Sequence, residues 1–173
     1  MIVLIAGASH TGKTNLAQKL LETYHYPYLS MDHLKMGLIR SHETNLTVEN
    51  DELLTPYLWN ITKEIIKTAI ENDQHLIVEG CYIPFDWKKS FSSEYLDKIH
   101  YYCLIMTEDY INTHFSIIKE TANIIEDRLD DSYFTREVAI KENQNNLEQC
   151  QKENLPYLLI DERYEIEIEL PQE

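Results

Sequence analysis

The stretch that decides the fold is IVLIAGASHTGKT, which occupies positions 2–14 of this 173-residue chain. Its first part, Ile2–Ala6, is a continuous apolar run, and such a run predicts a strand that is buried on both faces. The residues that follow, Lys13–Thr23, carry apolar side chains at helical spacing and predict an amphipathic helix. The glycine-containing segment 7–12 is therefore predicted to connect a buried strand to the start of a helix.

The spacing of positions 7–14 matches G-x-x-x-x-G-K-[ST], the Walker A pattern of a phosphate-binding loop. Glycines let the backbone curve around a phosphate without Cβ contacts, and the loop amides and the helix N-terminus then face the anion. We expect Lys13 to place its charge between the β- and γ-phosphates, and Thr14 to offer its hydroxyl to Mg²⁺. The predicted nucleotide-binding residues are Gly7, Ala8, Ser9, His10, Thr11, Gly12, Lys13 and Thr14.

The composition predicts a globular protein with one domain over residues 1–173, since 43% of the residues are hydrophobic and 26% are charged. A formal charge of -15 argues against nonspecific binding to nucleic acid or to an anionic membrane.

The cysteines at 81, 103 and 150 are far apart and odd in number, which argues against a disulfide framework or a zinc site. Without a signal-peptide pattern or a membrane-spanning run, the expected location is the cytoplasm. The sequence leaves the oligomeric state open, with a homodimer as one option.

Apolar runs and helical periodicities alternate along the chain, which predicts an α/β fold with a parallel sheet. Further strands are predicted at Tyr26–Ser30, His75–Glu79, His100–Met106 and Pro156–Ile160. A helix is predicted over Pro56–Asn72, with Thr55 as its N-cap and Pro56 as its first residue. Two more helices are predicted, one from about Ile111 to Leu129 and one from Phe134 to about Gln151.

Three further segments lie outside this alternation. The polar stretch Ser41–Asp51 is either a mobile loop near the site or an ordinary surface connection. Glu165–Leu170 alternates charged and apolar residues, which predicts a half-buried strand at a sheet edge. The acidic C-terminal segment, residues 161–173, is expected to lie away from the functional site.

With this loop and this order of elements, the chain resembles P-loop kinases of the nucleoside and nucleotide kinase type. That superfamily includes adenylate, shikimate and gluconate kinases and zeta toxins, and the chain is also similar to small 2-phosphoglycerate-kinase-like proteins. The resemblance implies a three-layer sandwich with five parallel strands in the order 2-3-1-4-5 and right-handed crossovers. It also implies a short helical lid at about residues 127–137, with ATP and Mg²⁺ as cofactors.

The resemblance places acceptor-binding residues after the second predicted strand. Asp32 matches a carboxylate that in many such kinases faces the acceptor hydroxyl, where it accepts the proton or orients the nucleophile. An N-cap of the next helix is the alternative role for Asp32. Lys35 and Arg40 follow on the same helical segment and are expected to bind the acceptor, particularly an anionic one. Their alternative role is that of solvated surface charges.

Glu79 and Gly80 end the third predicted strand, at the Walker B position. An acid there usually holds Mg²⁺ through water, so Thr14 and Glu79 are the predicted metal residues. Because the sequence has a single Glu followed by Gly, Glu79 serves the metal, the acceptor or both. Gly80 is expected to let the following residues turn over the acceptor pocket.

Arg128 and Arg136 flank the predicted break between the two C-terminal helices, where the resemblance places a lid. Lid arginines in such kinases stabilise the transferring phosphoryl group. Ordinary salt bridges to Asp127, Asp130 and Asp131 are the alternative. The expected catalytic residues are Lys13, Asp32, Arg128 and Arg136.

The sequence therefore predicts transfer of the γ-phosphoryl group of ATP to a small-molecule acceptor. A hydroxyl of a small acid or sugar is favoured, since Arg40 is the clear arginine of the acceptor region and nucleotide acceptors usually meet more of them. A nucleoside-monophosphate kinase, a zeta-toxin-like nucleotide-sugar kinase, an NTPase switch and a non-catalytic ATP-binding protein are the alternatives.

Overall fold

The computed structural model describes residues 1–121 and 133–171. Within them, five strands form one sheet in which every neighbouring pair is parallel. The strands are β1 (Ile2–Gly7), β2 (Tyr28–Ser30), β3 (Leu76–Glu79), β4 (Ile99–Met106) and β5 (Tyr157–Ile160). Their order is β2-β3-β1-β4-β5, which confirms the predicted topology and fold class.

Helices lie on both faces of this sheet. They are α1 (Lys13–Tyr24), α2 (Met31–Arg40), α3 (Asp51–Glu71), α4 (Ser93–Leu96), α5 (Glu108–Thr121) and α6 (Arg136–Lys152), and a 3₁₀ turn spans Trp87–Ser90. Ile2 and Leu4 of β1 pack in one buried cluster with residues of α3, whereas Val3 and Ile5 pack in another with α1 and α5. Successive side chains of the central strand thus serve opposite layers of a three-layer sandwich.

The start of α3 corrects one prediction. The helix begins at Asp51, so Thr55 is not its N-cap and Pro56 lies inside it rather than at its first position. The earlier start buries Leu54 completely. A proline here costs one backbone hydrogen bond, to the Glu52 carbonyl near the exposed helix end. Complete burial of Leu54 contributes about 1.5–3 kcal/mol and so offsets most of that cost.

The C-terminal segment corrects a second prediction. Glu165–Leu170 forms no strand, although its alternation does separate buried from exposed side chains. Ile166 and Leu170 are buried against the α1 and α5 side of the core, and the glutamates between them are exposed. The Leu170 N–H donates to the hydroxyl of Tyr24, a residue of α1, at 3.1 Å. A side chain of a helix, rather than a neighbouring strand, therefore accepts this backbone hydrogen bond. Buried and exposed side chains thus alternate along this segment although it pairs with no strand.

The two predicted C-terminal helices differ from the described ones at one end each. α5 is described over Glu108–Thr121, and the rest of its predicted length, to Leu129, falls among residues 122–132. α6 begins at Arg136 rather than Phe134, because the Thr135 side chain accepts a hydrogen bond from the Val138 N–H and caps the helix. None of the helices in the described ranges is long and apolar enough to cross a membrane.

The corrected start of α3 can be tested by Pro56→Ala. An interior proline removes a helical hydrogen bond and restricts the unfolded chain, so alanine is expected to stabilise the protein by about 2–3 kcal/mol. A proline at the first helical position would instead be replaced at no gain or at a small loss. Urea unfolding followed by circular dichroism measures the difference, and a destabilised variant would contradict an interior position.

Candidate active site

The loop after β1 folds back on the Ala8 carbonyl. The Thr11 hydroxyl donates to this oxygen at 2.9 Å, and the Lys13 ammonium donates to it at 2.7 Å. His10 and Gly12 adopt left-handed backbone angles, with φ of 64° and 82°. A Cβ on Gly7 would lie 2.6 Å from the Leu104 carbonyl, so this glycine is required by the neighbouring strand as well as by the loop.

Lys13 is a buried charge at the centre of the site, with 7% of its surface exposed. Burial by itself lowers the pKa of this ammonium, but Cys81, Glu79 and Asp32 outweigh burial and hold the pKa above its usual value. The lysine therefore stays charged. Three segments supply these neighbours, namely β3, the turn after it and the first turn of α2.

A chain of hydrogen bonds joins Asp32 to α3. The Lys35 ammonium pairs with the Asp32 carboxylate and also donates to the Tyr82 hydroxyl at 2.9 Å. The Tyr82 hydroxyl in turn donates to Asp51 Oδ1 at 2.9 Å. Burial, followed by this bond to Asp51, raises the pKa of Tyr82, so the phenol keeps its proton. These hydrogen bonds fix the orientation of the Asp32 carboxylate relative to α3.

Gly80 allows the ends of β2 and β3 to approach closely. A Cβ at Gly80 would lie 2.8 Å from the Met31 Cβ, so a larger residue would push α2 away from β3. Met31 is fully buried at the first position of α2, immediately before Asp32. Gly80 thus lets Asp32 approach Glu79. The predicted role of Gly80, to let the following residues turn over an acceptor pocket, stays a prediction.

Of the three predicted arginines, the two that lie in the described ranges are both exposed. Arg40 is exposed at the last position of α2, about 12 Å along the helix from Asp32. Arg136 is exposed, and its guanidinium lies 5.5 Å from the centre of the Phe115 ring. Arg128 lies outside the described residues. Of the predicted acceptor residues, the structure therefore brings Asp32, Lys35, Glu79 and Gly80 together and leaves Arg40 apart.

Stacked rings connect Arg136 to the phosphate-binding loop. His10 stacks on Phe134 with 3.7 Å between ring centres, and Phe134 stacks on Phe115 at 5.7 Å. Since Arg136 covers the Phe115 ring, this stack runs from the loop to the start of α6. In this arrangement Arg136 supports the loop from the side.

Two residues that sequence reasoning missed contact the loop directly. The Ser9 N–H donates to Glu142 Oε2 at 3.4 Å, and the Tyr164 hydroxyl donates to the Thr11 carbonyl at 3.0 Å. Tyr164 belongs to the acidic C-terminal segment, so the expectation that this segment lies away from the site is wrong. Neither residue carries a local signal, because both contacts span more than a hundred positions of chain.

Comparisons with known proteins support the same fold. A protein from Chloroflexus aurantiacus provisionally named a kinase has a TM-score of 0.57 and 18% identity, with 94% of this chain and 88% of that chain covered. Deoxyadenosine kinase from M. mycoides has a TM-score of 0.57 and 14% identity, with 93% and 90% covered. The chain has the fold of the P-loop kinases. No protein-family model and no curated protein matches it.

Thr14 and Glu79 are suited to Mg²⁺ in such a fold. No group of three or more His, Cys, Asp or Glu side chains that could hold a metal occurs in the parts of the chain that the structure describes. In kinases, however, Mg²⁺ takes most of its ligands from phosphates and water. Thr14 lies on the first turn of α1, and the Glu79 carboxylate is 1% exposed beside Lys13. Both supply the hard oxygen atoms that Mg²⁺ prefers.

Contact between the P-loop and the C-terminal segment can be tested by a double-mutant cycle. A Cβ on Gly12 would lie 1.8 Å from the Tyr164 hydroxyl oxygen. Gly12→Ala is therefore expected to destabilise the protein, and to do so by at least about 1 kcal/mol less when Tyr164 is also replaced by Ala. Thermal and urea unfolding of the four proteins give the coupling energy.

Gly37→Ala is the matched control for this cycle. Gly37 lies in α2 and nothing within 4 Å would meet its Cβ, so this variant should be slightly more stable and unaffected by Tyr164→Ala. Additive effects of Gly12→Ala and Tyr164→Ala would show that the contact does not form.

Proposed function

We propose that the protein is an ATP-dependent phosphotransferase that moves the γ-phosphoryl group of ATP to a hydroxyl of a small-molecule acceptor. The observation that carries this proposal is the position of Lys13 beside Asp32 and Glu79. Lys13 belongs to a phosphate-binding loop, Asp32 follows β2, and Glu79 ends β3. Groups suited to a phosphoryl donor and to a hydroxyl acceptor thus meet at the carboxyl end of one parallel sheet, where open α/β sheets bind ligands.

Each group has a distinct role in this proposal. The loop amides and Lys13 bind the phosphates, and Lys13 stabilises the negative charge that spreads over the transferring group. Thr14 and Glu79 would hold Mg²⁺, which neutralises further phosphate charge when it is bound. Asp32 accepts the proton of the attacking hydroxyl or orients it, and Lys35 fixes the direction of its carboxylate. Arg128 and Arg136 are the candidates for contact with the transferring group, and Arg136 would have to leave the Phe115 ring.

The direct test is a coupled assay with ATP, Mg²⁺ and a panel of hydroxylated acceptors, with the product identified by mass spectrometry. Asp32→Asn should lower the transfer rate by about 10²–10⁴ while ATP binding persists, because the proton acceptor is lost. Lys13→Ala should lose both ATP affinity and transfer. Lys19→Ala is the matched control, since Lys19 is an exposed lysine of the same helix.

The alternatives predict different outcomes in the same assay. ADP formation without a phosphorylated product would favour an NTPase switch, and tight ATP binding without turnover would favour a non-catalytic binding protein. A phosphorylated nucleotide or nucleotide sugar would favour the nucleotide-kinase and toxin-like alternatives. Each of these results would overturn transfer to a simple hydroxylated acceptor.

Glu142 is expected to oppose nucleotide binding. Its carboxylate accepts a hydrogen bond from the Ser9 N–H, which a phosphate would otherwise use, and it lies near Lys13. Burial raises the pKa of Glu142 and outweighs the lowering effects of the Ser9 N–H and Lys13. A raised pKa means that ionising Glu142 costs stability as the pH rises through its folded-state value. Glu142→Gln should therefore bind ATP several-fold more tightly at neutral pH, and its stability advantage over the wild type should grow from pH 4 to pH 8.

Isothermal titration with ATP and thermal unfolding across this pH range measure both effects. Glu148→Gln, an exposed change on the same helix, is the control and should alter neither. A Glu142→Gln variant that binds ATP more weakly than the wild type would instead assign Glu142 a supporting role at the phosphates.

A further inference from the structure

Two buried thiols meet where α6 packs against β4. Cys103 lies in β4 and Cys150 in α6, and both residues are fully buried in the same apolar cluster. The Cys103 thiol donates a hydrogen bond to the Cys150 sulfur. Both thiols are free, and the proposed phosphotransfer uses neither of them. The two cysteines are far apart in the sequence, so only the fold brings them together.

The docking of α6 on the sheet gives the same pairing. The Asn143 side-chain oxygen accepts a hydrogen bond from the Met106 N–H at 2.8 Å, which fixes α6 at the end of β4. From this point Cys150 lies about 10.5 Å further along the helix, and Cys103 lies about 10 Å back along the strand. The strand that follows α6 begins at Tyr157, which is the register partner of Cys103. The end of α6 therefore lies at the level of Cys103.

The two thiols differ in acidity. The hydrogen bond from Cys103 lowers the pKa of Cys150, and this effect outweighs the burial of the thiol. The same hydrogen bond, followed by burial, raises the pKa of Cys103. Because the thiolate is the nucleophile in thiol oxidation, Cys150 is suited to attack an oxidant and Cys103 is suited to attack the oxidised sulfur.

The position of Cys150 gives an oxidant a route to the pair. Cys150 lies in the last turn of α6, which ends at Lys152. Helix ends fray, and local opening there costs less free energy than opening of the core. Since neither cysteine is exposed, a small oxidant is needed to reach them through such an opening, and hydrogen peroxide is of that size.

We infer that Cys103 and Cys150 are a site of oxidation by hydrogen peroxide, which converts them to an intramolecular disulfide that ties α6 to β4. The Cys150 thiolate attacks a peroxide oxygen, the O–O bond breaks, and hydroxide leaves a sulfenic acid behind. The Cys103 thiolate then attacks the sulfenic sulfur, so the S–S bond forms, the S–O bond breaks, and a second hydroxide leaves. The two thiol protons convert both hydroxides to water, so the thiols are oxidised and the peroxide is reduced. This site is independent of the proposed function.

The bridge would fix the helix that contacts the phosphate-binding loop. α6 carries Glu142, whose carboxylate accepts the hydrogen bond from the Ser9 N–H. A disulfide between Cys103 and Cys150 would close a loop that contains α5 and most of α6. A cross-link that fits the native arrangement stabilises a protein mainly by restricting its unfolded chain. The Tm of the oxidised protein should therefore rise, and dithiothreitol should reverse the rise.

Peptide mapping of the folded full-length chain tests the pairing. The protein is treated with hydrogen peroxide, its remaining thiols are blocked, and a tryptic digest is analysed by mass spectrometry without reduction. Peptide 99–119 should be joined to peptide 142–152, with a loss of two hydrogen atoms, and dithiothreitol should separate them. Cys81→Ser, which removes the exposed thiol, is the control and should give the same product. Cys150→Ala should not give it.

Oxidation of the urea-unfolded protein shows which pairings arise without the fold. There Cys81 should also pair with Cys103 and with Cys150, whereas the folded protein should give the single pairing. The wild-type protein reports this difference by itself, so the result does not depend on how well a variant folds. A mixture of pairings in the folded protein, oxidation of Cys81 alone, or sulfinic acid at Cys150 without a bridge would overturn the inference, as would a bridge that lowers the Tm.

Discussion

The ammonium of Lys13 is the constraint on which the rest of the site depends, since a buried charge is costly unless the fold surrounds it with partners. The Ala8 carbonyl accepts its hydrogen bond, and Asp32 and Glu79 supply the opposite charge. These partners come from separate segments that only the β2-β3-β1 order makes adjacent. The close approach of Met31 to Gly80 completes the arrangement, because it lets the start of α2 reach the end of β3.

The sequence predicted the structure correctly where a local pattern of residues and the order of the strands lead to the same conclusion. Buried parallel strands have continuous apolar runs, and the spacing of residues 7–14 defines the loop after the first of them. The placement of Asp32 and Glu79 was predictable because Asp32 follows β2 and Glu79 ends β3, and the carboxyl ends of parallel strands share an edge. Lys35 was predictable as a neighbour of Asp32 because residues three apart share a helix face. Its bond to Tyr82 was not, because that bond joins different elements.

Prediction was poor where distant packing overrides a local signal. Pro56 is a strong marker of a helix start, but burial of Leu54 moves the start of α3 upstream and places Asp51 against Tyr82. The alternation of Glu165–Leu170 is a strand pattern, but it reflects only which side chains face the core. Tyr164 and Glu142 reach the loop through the tertiary fold, so no window of sequence could have found them.

The contacts of Lys13 also link the donor and acceptor sides of the cleft. A phosphate that draws on the Lys13 ammonium adds negative charge beside Asp32 and weakens the compensation that this carboxylate receives. A carboxylate with less positive charge around it takes up a proton more readily. In the proposed phosphotransfer, nucleotide binding would thereby make Asp32 a better acceptor for the proton of the attacking hydroxyl.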